Sequence, residues 1–192
     1  MENLSSHADV QLVPPPERPN SISDAELLRH FVTPQIVQYF ALKMPTVESN
    51  TLTLWTAELL KYLILVQYSA GRILLGKEID DLWHFWILQT REYARLCEIL
   101  PGRFFRHHSS NDYKDTHSHP EMPLDEAIER VLSFFISYYA NFGPITAKRL
   151  GCWPPLRVVM DEAGWNVEEL NDFLKDRATG SLASRSASEP SQ

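Results

Sequence analysis

Apolar residues recur along this chain at steps of three and four, and that period constrains the fold more than any other feature. Leu52, Trp55, Leu59, Tyr62, Leu63 and Val66 fall on one face of a helix. So do Ile79, Leu82, Trp83, Trp86, Tyr93 and Cys97, and again Ile128, Val131, Phe135, Tyr138, Tyr139 and Phe142. About 3.6 residues per turn produce that spacing, whereas a half-buried strand needs strict alternation. No segment alternates convincingly. The expectation is an all-α protein, a single irregular helical bundle of about five to seven helices.

Capping and breaking residues place the ends of these helices. Ser23 with Glu26 has the capping-box spacing for a first short helix, and Pro34 can open the next, where its missing N–H costs little. That second helix should run to about Met44, and a long central one from about Asn50 to Leu74, ending near Gly76. A third long helix should start near Glu78 and stop before Pro101-Gly102, followed by a loop from Arg103 to Met122. Another should span Leu124 to Phe142 and close at Gly143-Pro144. Beyond it, Leu156 to Lys175 reads either as a detachable helical hairpin or, the more favoured of the two, as a C-terminal helix covering an otherwise exposed face, with Asn166 as N-cap, Glu169 as its partner, and Leu170, Phe173 and Leu174 as an apolar edge.

The chain ends look solvated. Pro14, Pro15 and Pro16 favour extended backbone, and the Ser/Ala-rich stretch after Ser181 has almost nothing to bury. The expected organisation is a disordered tail over 1–21, a helical domain over 22–155, a helical extension over 156–175 and a second disordered tail over 176–192. At 192 residues and 44% hydrophobic, the chain can build one substantial core.

Charge and cysteine usage narrow the function. A formal net charge of −7 opposes a nonspecific grip on nucleic acid, which needs Lys and Arg to displace counterions. The two cysteines, Cys97 and Cys152, form no CxxC pair and are too few for a secreted disulfide scaffold, which favours reduced thiols in the cytoplasm. The N-terminus lacks the basic start and apolar run of a signal peptide. The longest apolar run, Leu59 to Tyr68, is interrupted by Lys61 and Gln67 and falls far short of the roughly 20 residues a membrane span needs.

Candidate chemistry concentrates in Glu78 to His108, since five of the seven histidines lie between His84 and His119. Asp80, His84 and Arg91 fall along the flank of the apolar stripe, which suits a binding cleft or a structural polar clasp. Asp80, Trp83, His84, Arg91 and Tyr93 are the ligand-binding candidates. An acid and an imidazole one turn apart can offer oxygen and nitrogen to one ion; Asp80 and Asp81 both have that spacing to His84, and Asp80 and His84, completed by His107 and His108, form the candidate site for Zn or Fe. An open coordination position there would permit water activation or oxygen chemistry. The competing reading is a histidine that satisfies its own hydrogen bonds against a nearby carboxylate. His117 and His119 read more simply as a solvated loop. Cys97 as a nucleophile with His84 as base fails on a straight helix, where thirteen residues span about 20 Å. Fingerprints of serine hydrolases, P-loops and dinucleotide sites are absent.

The run Asp80, Trp83, His84, Ile87, Leu88, Thr90, Arg91, Tyr93, Cys97, then Gly102, Phe104, His107 and His108, resembles the domain shared by bacterial and plant glycine-rich domain-containing proteins. Tyr139, Phe142-Gly143 and Trp153-Pro154 fit its closing part, so the resemblance covers roughly Phe31 to Pro155. It implies a helical domain without an established activity. The chain departs from that pattern in having only seven glycines and no Gly-rich module. Trp86 also stands where relatives often carry a histidine, which weakens the metal reading.

Two functions follow as expectations. The first is a noncatalytic binding or protein-interaction module, with a protein partner docking on the 156–175 segment and neither nucleic acid nor membrane as partner. The second is a Zn- or Fe-dependent enzyme using an Asp/His site around His84.

Overall fold

The computed structural model describes residues 22–69, 73–100 and 123–186, with side chains to residue 179. The expected N-terminal tail, the last residues of the C-terminal one, and His107, His108, His117 and His119 lie outside the described residues. Within them the protein is all-α, with no strand.

Nine α-helices are present among the described residues: α1 (Asp24–Phe31), α2 (Pro34–Lys43), α3 (Ser49–Leu65), α4 (Lys77–Leu88), α5 (Thr90–Ile99), α6 (Leu124–Phe142), α7 (Ala147–Leu150), α8 (Pro154–Ala163) and α9 (Val167–Ser186). The count exceeds the expected five to seven for two local reasons. The third long helix is broken in two, and a four-residue turn of helix follows α6.

The helix starts obey the capping chemistry. Ser23 accepts from the Glu26 N–H at 3.3 Å while the Glu26 carboxylate accepts from the Ser23 N–H at 2.8 Å, a closed capping box. Asn166 and Glu169 repeat the arrangement at α9. Thr33 caps α2, and Pro34 takes its first position.

α3 is the central strut, and it is buried all round: every residue from Thr56 to Leu65 is shielded from water. A helix packed on every side loses the one-faced pattern, so the expected single stripe was too narrow. α1, α2, α4 and α6 pack against it. α3 ends at Leu65, nine residues before the expected Leu74, and a 3-10 turn, Val66–Tyr68, closes it. The chain then returns Ile73 to the core, which a continuing helix would carry away.

The expected helix from Glu78 to the residues before Pro101 is corrected to two. Gln89 leaves helical geometry at φ −89°, ψ 67°, and serves as both the end of α4 and the start of α5. The break folds α5 toward α4, so the Trp83 indole N–H reaches the Tyr93 hydroxyl at 3.1 Å. Residues ten apart on an unbroken helix would lie about 15 Å apart along its axis. His84 and Cys97 therefore lie on two different helices, and the rise of one straight helix does not set their separation.

Of the two readings of the C-terminal segment, the covering helix holds and the detachable hairpin does not. Leu156, Val159, Met160, Leu170 and Leu174 belong to the same core as α3. α8 and α9 each pack on α6. α9 also continues to Ser186, well past the expected end near Lys175.

Candidate functional site

α3 carries two charged residues into the centre of the bundle. Glu58 is 0% exposed and Lys61 1%, three residues apart on a face that meets α1, α6 and the α7–α8 corner. Charge in such surroundings is tolerated only when paired and hydrogen-bonded. One Glu58 oxygen, Oε1, accepts from Lys61 Nζ at 2.8 Å, from the Tyr138 hydroxyl at 2.9 Å and from the Arg149 guanidinium. The other, Oε2, accepts from the Trp153 indole N–H at 2.7 Å. Lys61 turns a second N–H to Asp24 at 2.7 Å, and Arg149 also holds Asp24 at 2.7 Å.

Two acids and two bases on α1, α3 and α7 thus close a ring, and Tyr138 of α6 and Trp153, the residue before α8, bond into it. The formal charges cancel. The Lys61 ammonium also lies over the Tyr138 and Phe142 rings, 5.1 and 5.6 Å from their centroids, which adds cation–π attraction where water is excluded. Asp24, 28% exposed at its side chain, is the member most open to solvent. Burial alone would raise its carboxyl, but the hydrogen bonds and charges of Arg149 and Lys61 outweigh that and hold it below the ordinary carboxylate value. Burial, reinforced by the Glu58 charge, pushes the Tyr138 hydroxyl far up. Burial also pushes the nearby Cys152 thiol up to about 12.

The residues singled out in sequence divide between α4 and α5. Ile79, Leu82, Trp83, Trp86, Tyr93 and Cys97 are all buried, as their stripe requires. The side chains of Asp80 and His84 stand at the core's edge, 42% and 43% exposed. The His84 Nδ1 lies 2.7 Å from the Asp80 backbone oxygen and 3.5 Å from its carboxylate. A carbonyl oxygen can only accept, so the neutral ring carries its proton on Nδ1 and its lone pair on Nε2. Asp80 therefore acts on the side of the ring away from the nitrogen that would bind an ion: it orients the imidazole. Arg91 lies beyond the break, exposed on α5, and does not share this half-sheltered edge.

Trp86 faces inward, edge to face with Phe40 at 5.5 Å between centroids. Two residues on a helix are roughly 200° apart, so a side chain at 86 points away from the His84 flank. Its indole N–H is buried and has no hydrogen-bond partner among the described residues. Among the described residues, no group of three or more His, Cys, Asp or Glu side chains could hold a metal ion.

Gly76 fixes the start of α4. Its N–H donates to the Cys152 carbonyl at 2.9 Å, and a Cβ there would come 3.1 Å from the Gly151 carbonyl oxygen. A Cβ there would be crowded against backbone on the facing turn, which would have to shift slightly to admit it. This contact ties the α4 flank to the corner that carries Arg149 and Trp153.

Sequence reasoning missed the ring. Lys61 was visible only as an interruption of an apolar run, although Glu58 and Lys61 together, one turn apart in the most apolar helix, were a signal of buried pairing. Asp24 and Arg149 carry no such signal, because their partners are distant in sequence.

These features define a class: an all-α domain built round a central helix whose buried charges are neutralised from its surroundings, with an acid-oriented histidine on one flank. The chain belongs to the UCP032817-like family, whose model matches residues 23–150. That span holds Asp24, Glu58, Lys61, Tyr138 and Arg149, with Asp80 and His84, while Trp153, α8 and α9 lie beyond it. No curated protein and no solved structure matches the chain. No described helix is long and apolar enough to cross a membrane.

Proposed function

We propose that this protein is a noncatalytic binding module that acts in the cytoplasm, with both cysteines reduced, and meets a protein partner through the α4 flank bearing Asp80 and His84. The observation that carries this reading is the closure of the buried charged ring. Glu58 and Lys61, the groups best suited to acid–base or nucleophilic work, are sealed from solvent and bonded within the domain. A catalyst needs its reactive group poised near the working pH, whereas Tyr138 and Cys152 are pushed away from it. The ring accordingly fixes helices, and recognition falls to the surface. The 156–175 segment is a weaker docking candidate, because Leu170 and Leu174 of its apolar edge are buried in the protein's own core. The likeness to glycine-rich domain-containing proteins is part of the same proposal.

A second reading, Zn or Fe bound at His84, is favoured by the Nδ1 bond to the Asp80 carbonyl. Metal-ligating histidines commonly donate their other ring N–H to a carbonyl or carboxylate. Elemental analysis of the untagged full chain, wild type and His84→Ala, separates the two. A near-stoichiometric ion that His84→Ala removes with helical circular dichroism intact would overturn the binding-module reading. A metal-free protein after exposure to Zn²⁺ and anaerobic Fe²⁺, with cross-linked partners that Asp80→Ala/His84→Ala loses, supports it.

A further inference from the structure

α4 turns a second line of residues away from the core. Glu78, Asp81, Phe85 and Leu88 follow one another at steps of three, four and three, the spacing at which one helix presents a seam to another. Ile79, Leu82, Trp83 and Trp86 occupy the inward side. The seam is graded along the axis. Glu78 is exposed and Asp81 partly so, Phe85 is half-buried against the edge of the core, and Leu88, the last residue of α4, is 67% exposed. Acid therefore stands at one end and apolar surface at the other.

The dipole of α4 accounts for acids near its first turn, but it gives no reason for a leucine held out in water two turns beyond Asp81. Lys77 pairs with Asp81 at the surface, where an ion pair is worth little and yields to a competing cation.

We propose that α4 docks a helix-forming segment of another protein that is basic at one end and apolar at the other. The proposal rests on the α4 flank being the recognition surface, and it names what binds there: Lys or Arg opposite Glu78 and Asp81, and an aliphatic or aromatic side chain over Phe85 and Leu88, about 10 Å further along. Charge complementarity selects this occupant. Nucleic acid and anionic lipid would bring more negative charge to Glu78 and Asp81. A second copy is no better matched: two α4 seams set parallel put acid against acid, and set antiparallel they put acid against Leu88. A basic and apolar segment satisfies both ends. Burial of Leu88 supplies affinity, and the carboxylates fix the direction in which the segment lies.

The test offers the full chain to a random-peptide library displayed on phage and titrates the selected peptides by fluorescence anisotropy. Enriched peptides should carry Lys or Arg at one end and an apolar residue about two turns away. Leu88→Asp should weaken them about tenfold or more, Glu78→Lys/Asp81→Lys should weaken them as well, and added salt should do so in wild type without any substitution. Circular dichroism checks that both surface variants keep their helices. No enrichment, an acidic or uncharged consensus, or peptides indifferent to Leu88→Asp would overturn the proposal. So would a wild type that dimerises by light scattering and loses this in Leu88→Asp, which would give the seam to a second copy. If cross-linked partners vanish in Asp80→Ala/His84→Ala while the selected peptides ignore the seam, this inference fails and the binding-module reading stands. A stoichiometric metal at His84 would instead remove that reading itself.

Discussion

Glu58→Gln and Lys61→Met, singly and together, test whether the buried ring is held by charge balance. Wild type contains Asp24 and Glu58 against Lys61 and Arg149. Glu58→Gln leaves two cations facing one acid, and Lys61→Met leaves two acids facing one cation. Breaking a buried pair by removing one partner costs about 3–5 kcal/mol, because an uncompensated charge remains out of water. Arg149 and Asp24 are partly solvated, so the lower half of that range applies, about 3–4 kcal/mol for each single variant. In the double variant Asp24 and Arg149 still pair, and the amide oxygen introduced by Glu58→Gln can accept from Tyr138 or Trp153. The double should therefore cost less than the two singles summed, by at least about 2 kcal/mol. Urea unfolding followed by circular dichroism at 222 nm gives these values, read with an unchanged denaturant slope. For a chain of this size each single should lower Tm by roughly 6–16 °C. Additive costs, or a Glu58→Gln cost below about 1 kcal/mol, would refute charge balance as the reason for the ring.

Acid should weaken the α1 tether. The Asp24 carboxyl is held below its ordinary value, so its contribution is full above the unfolded pKa of about 4 and is lost as pH falls through the lower folded value. The stability gap between wild type and Asp24→Asn should narrow on acidification below about pH 4, and urea midpoints across that range that keep a constant gap would contradict it. Cys97 and Cys152 are both buried, and the Cys152 thiol is pushed up to about 12. A chromogenic disulfide reagent at neutral pH should find both thiols slow in the native protein and fast in urea. Rapid native labelling of Cys152 would show the corner beside the ring to be open.

Much of the architecture was legible as pattern. The 3.6-residue period announced an all-α protein, and Ser23-Glu26, Pro34 and Asn166-Glu169 marked helix starts because capping involves atoms within one turn. α6 was legible from end to end, Leu124 to Phe142. The inward stripe of α4 and α5 was legible too, since the residues of a stripe keep their inward faces even when the helix is cut. The cut itself was not. Gln89 carries neither proline nor glycine, and the bend gains its support from the contact it creates between Trp83 and Tyr93, ten residues apart.

By itself, then, the sequence determined the elements whose causes are local: periodic apolar faces, caps and breakers. Tertiary structure decided which faces were covered. α3 proved buried on every side, and the C-terminal helices proved part of the core. Tertiary structure also decided the charged ring, whose closure needs Asp24 of α1, Tyr138 of α6, Arg149 of α7 and Trp153, the residue before α8, to meet Glu58 and Lys61 of α3. The physical reason is range: a capping bond is fixed by its neighbours in the chain, whereas a buried charge is stable only beside partners that the fold alone brings within hydrogen-bond distance.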